Sequence, residues 1–236
     1  VGVPRAGLRR ALIAAGLAAA GLNLTAGSVA PIPQGGTITG VITTKIPGAA
    51  PLRATIDPEV CGAVPNEEVV VDAGGHVANA VVTVTGARVP APAEVVLVNE
   101  RCRFTPRVNL IRPNGTIKMT SHDPVLHTVH AAPDGGRALF NVSLPVPNLT
   151  LSKPVDRPGI VRLTCSTHTW MRGFLHVTEE LAAVSGADGT FRLTGVPAGR
   201  QTLRIWHETL AAKPVTVDVV NGQTATVTVE LTRPIG

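Results

Sequence analysis

Tyrosine is absent from this 236-residue chain, which holds only four phenylalanines, two tryptophans and three cysteines. No cluster of Lys and Arg stands among the few aromatic rings, which excludes a stacking, basic surface for nucleic acid. Long apolar runs are also missing. The one candidate, ALIAAGLAAAGLNL, is interrupted by glycines and then by Asn23 and Thr25, short of the about 20 residues that span a bilayer. A nucleophile with a matched base, a phosphate-cradling glycine loop and paired carboxylates in a shared context are lacking as well, so an enzyme is not expected. No segment sustains a helical period.

What is present is Gly (24), Pro (20) and short Val/Thr runs such as VANAVVTVTG and TATVTVELT. That is the composition of many short strands joined by tight turns, an all-β fold. The 44% of apolar residues is enough to bury a core. Residues 1–30 read differently. Arg5, Arg9 and Arg10 precede the apolar run, and small residues lead to Pro31, the pattern of a signal peptide with a helical apolar core. The Arg9-Arg10 pair leaves the route of export open. The segment holds three of the 21 basic residues and none of the 16 acidic ones, so removing it lowers the net charge from +5 to +2. An exported, periplasmic setting permits disulfides, and three cysteines suggest one pair with one left over. No membrane span is expected in the mature chain, and no nucleic-acid partner.

After the signal come the alternating run GGTITGVITTKIPG, the loop DPEVCGAVPNEE, and EVVVDAGGHVANAVVTVTG, which reads as a hairpin turning at Ala73-Gly74-Gly75. Near the other end, Asp188-Gly189 and Asn221-Gly222 are hairpin-turn dipeptides between alternating runs. The G-x-I-x-G strand, A-x-V-x-V, D-G-x-F-x-L-x-x-V-P-x-G and a last N-G turn together resemble the carboxypeptidase regulatory-like, or transthyretin-like, β-sandwich. The resemblance places that module over residues 36–93 and 181–233, interrupted by an insertion.

The insertion, 94–178, holds the chemistry. Its end, GIVRLTCSTHTWMRGFLHV, is a strand, a short loop and a strand, with Cys165, His168 and Met171 spaced C-x2-H-x2-M. Upstream, NGTIKMTSHDPVLHTVHA puts His127 at the start of another strand after a Pro-containing loop. A thiolate, two imidazoles and a weak thioether suit one redox-active copper ion. The soft sulfurs argue against magnesium, calcium or manganese, and structural zinc rarely takes Met. The alternative for Cys165, His168 and Met171 is three buried residues at a strand turn with no metal. His130, three residues after His127 on a strand, faces the other way. His122 stands in the loop before His127, while His76, His176 and His207 lack a Cys or His partner in sequence. The run Trp206-His207-Glu208 reads as a half-buried strand end.

CSTHTWMRG resembles the copper loop of the cupredoxins of amicyanin and plastocyanin type, and FTPRVNLIRPNGTIKMT and LHTVH resemble that family's strands. The resemblance implies a Greek-key β-sandwich with a type 1 copper bound by His127, Cys165, His168 and Met171. It also implies that the His168 edge lies near the surface, with Pro124, Val125, Leu126 and Trp170 around it as an apolar docking patch. Thr128 replaces the Asn that ties the ligand loops together in the family and could bond the Ser166 hydroxyl. Thr167 and Thr169 replace prolines and restore N–H donors near the thiolate. With Cys165 assigned to copper, Cys61 and Cys102 remain for a disulfide that would staple the two parts together. Asp57, Pro58, Val60, Cys61, Gly62, Trp206, His207 and Glu208 match exported proteins of methylamine-utilisation type. The function so implied is single-electron transfer with a redox protein such as a c-type cytochrome or a quinoprotein dehydrogenase. A copper carrier or sensor, and a structural module with a vestigial site, are the alternatives.

Overall fold

In the computed structural model, residues 1–2, 35–89 and 91–234 are described, so the signal peptide and helix expected over 1–30 fall almost wholly outside them. The described chain is all-β, as expected from its alternating Val/Thr runs. Its one helix is the single turn Pro58–Cys61, and no described helix is long and apolar enough to cross a membrane.

Strands from before Glu94 and after Thr178 share two sheets. Gly36–Thr44 lies between Thr190–Val196, antiparallel, and Thr224–Leu231, parallel. Facing it, Val81–Arg88 lies between Glu180–Val184 and Gly199–Trp206, with Val215–Val219 outermost. Ile38, Ile42, Val82, Val84, Leu193, Leu203 and Val229 fill the space between. Gly40 has to be glycine, because a Cβ there would come 2.4 Å from the Val227 carbonyl oxygen and 2.6 Å from the Phe191 ring.

The turn dipeptides form turns but not hairpins. Asp188-Gly189 leads from Glu180–Val184 in one sheet to Thr190–Val196 in the other, and Asn221-Gly222 likewise links Val215–Val219 to Thr224–Leu231 across the sandwich. The expected hairpin at Ala73-Gly74-Gly75 shrinks to one bridge, Val71 to Val77. Its turn is held by Asp72, whose carboxylate accepts from the N–H groups of Gly74 and His76 and contacts the His76 ring.

Residues 94–177 build a second pair of sheets. One runs Phe140–Leu144, His127–Pro133, Gly159–Thr164, Arg172–Val177, Val108–Ile111; the other runs Leu151–Val155, Gly115–Ser121, Glu94–Asn99, Phe104–Thr105. Leu97, Phe104, Ile117, Met119, Val129, Leu163 and Leu175 form its core. Where the two sandwiches meet, Val81, Val108 and Phe174 pack with Trp206, whose ring meets Phe174 edge-on at 5.1 Å. Beside them the buried Arg107 guanidinium donates twice to Glu208, at 2.6 and 2.9 Å. The Trp206-His207-Glu208 run is thus an element of the junction.

Candidate metal centre

Two neighbouring strands present the site at one end of the sandwich. His127–Pro133 pairs with Gly159–Thr164; the first begins with His127, and the second ends one residue before Cys165. The loop from Cys165 to Met171 then returns as Arg172–Val177. It is short enough to close on itself, with the Met171 N–H donating to the His168 carbonyl at 2.9 Å. The ligating atoms of His127, Cys165 and His168 lie within 4.8 Å of one another. All three residues are buried, as is Met171, which packs in the same core cluster as Cys165.

Thr128 links the two ligand segments. Its hydroxyl accepts from the Ser166 backbone N–H at 2.7 Å and donates to the Cys165 sulfur at 3.7 Å. The Thr128 and His168 N–H groups also donate to that sulfur, each at 3.4 Å. Two expectations are corrected here. The partner of Thr128 is the Ser166 main chain and not its hydroxyl, and the sulfur receives the N–H of His168 rather than that of Thr167 or Thr169. Burial pushes the Cys165 thiol up, but the bonds from His127, Thr128 and His168 outweigh it and bring the pKa to about 6. Burial also pulls His127 down, yet the Cys165 sulfur and the Asp123 carboxylate leave it above its ordinary value.

The outer nitrogens of both imidazoles are held by carboxylates. Nε2 of His127 lies 2.9 Å from Asp123 Oδ2, and Nε2 of His168 lies 3.0 Å from Asp57 Oδ2. An ionised carboxylate only accepts, so each Nε2 carries a proton, and a ring that carries no second proton turns an Nδ1 lone pair inward. Those two Nδ1 atoms are 3.1 Å apart, and Nδ1 of His168 is 3.8 Å from the Cys165 sulfur. Two lone pairs and a sulfur facing one another at such distances need a cation between them. A proton or a metal ion can serve, and the N, N, S set with Met171 alongside is the soft, mixed set that copper takes. The residues therefore fit copper.

A roof from the first segment closes the site. Cys61 and Cys102 are disulfide-bonded with a Cα separation of 5.3 Å, which brings the turn Pro58–Cys61 over His168. Asp123 is gripped by the successive N–H groups of Arg101 and Cys102, each at 2.8 Å. Both residues take left-handed φ, 51° and 52°, to aim at it. The Trp170 indole N–H donates to the Cys102 carbonyl at 3.1 Å, and its ring lies 5.1 Å from that of His168.

The structure thus overturns the exposed imidazole edge that the family resemblance implies. His168 is wholly buried, and its outer nitrogen is turned to Asp57. Of the apolar patch, Pro124 and Leu126 are exposed, while Val125 and Trp170 are half-buried and pack on the core. His130 points to the opposite face of its strand and is half-buried. His122 is exposed, 3.7 Å from Glu100. His207 accepts the N–H groups of Thr209 and Leu210 through Nδ1, both at 3.3 Å, and His176 sits against Trp206.

Sequence reasoning did not assign Asp57 or Asp123 a place at the metal centre. A signal was available, since both open an Asp-Pro dipeptide, Asp57-Pro58 and Asp123-Pro124, and Asp-Pro initiates turns.

No protein-family model matches the chain, and no curated protein matches it. Among solved structures it is similar to a novel purple cupredoxin from Nitrosopumilus maritimus, at 22% identity over 37% of this chain and 100% of that one, with a TM-score of 0.32. It is also similar to a copper-containing nitrite reductase from Thermus scotoductus SA-01, at 20% identity over 40% of this chain and 24% of that one, with a TM-score of 0.32. A reduced amicyanin variant is similar at 18% identity over 41% of this chain and 98% of that one, with a TM-score of 0.33.

Proposed function

We propose that this is an exported type 1 copper protein that passes single electrons between redox partners. The observation that carries the reading is the inward convergence of two Nδ1 atoms and the Cys165 sulfur, with each outer nitrogen anchored to a carboxylate. When bound, copper supplies a one-electron couple between Cu(I) and Cu(II). His127, Cys165 and His168 would hold it, with Met171 as the weak fourth donor. The protein's part is to keep these groups still. Asp123 and Asp57 fix the rings, Thr128 ties the two segments, and burial excludes water, so little rearrangement accompanies a change of charge. The N–H donors on the sulfur stabilise the thiolate and favour the reduced ion.

Export is supported by the sequence of residues 1–30 and by the disulfide, a bond that persists in oxidising compartments. A redox protein such as a c-type cytochrome or a quinoprotein dehydrogenase suits a site whose ligands are all buried, since electrons can cross that cover and a substrate need not enter. Electron exchange needs only a small docking area, and Leu126, exposed one residue from His127, offers an apolar one. Ligands buried under a disulfide-tethered roof suit a resident ion better than a cargo ion.

Adding Cu(II) to the purified protein should give an intense visible sulfur-to-copper charge-transfer band and a reversible potential, and Cys165→Ser should remove the band. Leu126→Lys should slow electron exchange and leave band and potential nearly unchanged. A wild-type protein that shows no such band with Cu(II) overturns the copper-redox reading.

A further inference from the structure

Asp57 occupies the N-cap position of the turn Pro58–Cys61, yet its side chain makes no cap hydrogen bond to that turn. Aspartate at this position ordinarily accepts an N–H of the first turn. Here the backbone is left-handed, with φ and ψ both 48°, a conformation uncommon outside glycine that aspartate tolerates better than most residues. The carboxylate is swung away from its own helix and onto Nε2 of His168, 111 residues distant in sequence and 3.0 Å away in space. Four residues on, Cys61 is covalently fixed to Cys102, whose own N–H grips the carboxylate serving the other imidazole.

We infer that Asp57 is a positioning residue of the metal centre, supplied by the segment that precedes the sandwich in sequence and packs on its core through Val60, Cys61 and Val64: its carboxylate fixes the proton of His168 on Nε2, aims Nδ1 at the metal position and shields the ring edge from water. The inference rests on the copper reading for its redox consequence, but not for its structural one. His168 stands in a short loop, where the ring could turn over or take its outer hydrogen bond from water. With Asp57 in place neither happens. A carboxylate behind a ligating imidazole also makes the ring a stronger donor, which favours Cu(II) over Cu(I) and holds the potential down. That opposes the N–H bonds to sulfur, so the potential reflects the balance of the two.

The test uses the full chain with Asp57→Gly, which removes the carboxylate while tolerating the left-handed backbone, and Asp57→Asn, which keeps shape and an uncharged acceptor. In metal-free protein, nitrogen-15 NMR of the imidazoles should show the His168 proton held on Nε2 in the wild type and exchanging between nitrogens in Asp57→Gly. Copper affinity from chelator competition should fall about 10- to 100-fold, with Asp57→Asn in between, and the potential should rise in both variants. Unchanged NMR signals in a folded Asp57→Gly protein overturn the inference, as does a potential that stays put while copper binds normally. If the wild type binds no copper but the NMR change is seen, the positioning role stands and the redox reading falls. An Asp57→Gly protein that does not fold leaves Asp57→Asn to decide by the same NMR and potential shifts.

Discussion

His127 and His168 face each other through Nδ1 atoms 3.1 Å apart, while each directs Nε2 to an aspartate. The pair is arranged like two jaws, each hinged on a carboxylate from outside its own strand or loop. Asp123 belongs to the loop before His127, whereas Asp57 comes from the segment before Glu94, whose Val60, Cys61 and Val64 pack on the same core as Cys165. The Cys61–Cys102 bond joins the two supports.

Thr128 gives the first prediction. Its hydroxyl accepts from Ser166 N–H and donates to the Cys165 sulfur, so Thr128→Val keeps the β-branched shape and deletes both bonds. Ser166 is exposed and its N–H can turn to water, so stability should fall by only about 0.5–1.5 kcal/mol in chemical denaturation. One donor fewer on the sulfur should lower the potential of the copper form, opposite to the change at Asp57. A potential that rises in Thr128→Val would remove the hydroxyl from this role.

The disulfide gives the second. It closes a sequence separation of 41 residues, and bonds of this kind contribute about 2–4 kcal/mol. The paired change Cys61→Ala with Cys102→Ala should cost a similar amount in denaturant melts. It should also weaken copper binding in the direction of Asp57→Gly, since the turn bearing Asp57 loses its tether. Full copper affinity in a destabilised double variant would show that the roof is held by packing alone.

How far the sequence could be read depended on the range of each interaction. Alternating Val and Thr reports a half-buried strand residue by residue, so the all-β fold was legible. The C-x2-H-x2-M spacing between two strands confines Cys165 and His168 to one short loop. The dipeptides Asp188-Gly189 and Asn221-Gly222 reported local conformation correctly, as Gly189 and Gly222 take φ of 70° and 71°. They could not report which sheet the next strand joins, because that is decided by burial against Ile38 and Ile42, far away in sequence. The cover over His168 was illegible for the same reason. The cupredoxin resemblance covers the sandwich alone and implies an exposed edge, and only a contact spanning 111 residues reveals Asp57 beneath the roof.

The last prediction concerns acid stability and the junction between the sandwiches. Burial first, and then the nearby Arg204 charge, push His176 down to about 4, against a smaller opposing pull from Glu180. Its Nδ1 is buried with no hydrogen-bond partner, and its ring meets Trp206 edge-on at 6.2 Å. His207 is likewise pushed to about 4 by burial and Arg107. A histidine that titrates near 6.5 when unfolded and near 4 when folded lets the unfolded chain bind more protons between those values. Stability is therefore intact above about pH 6.5, falls as pH drops toward 4, and changes no further below that. Burial raises Glu67 and Glu208 against the pull of Arg107, and these two act in the opposite sense, so the wild-type profile is a sum. His176→Phe isolates one contributor. It keeps a ring against Trp206 and removes the proton site, so the loss of unfolding free energy between pH 7 and pH 5 should be about 2 kcal/mol smaller than in the wild type. At pH 8 the variant should be at least as stable, since an unpartnered buried nitrogen is removed. Parallel pH profiles for the two proteins would show that His176 is not the group that makes the junction acid-sensitive.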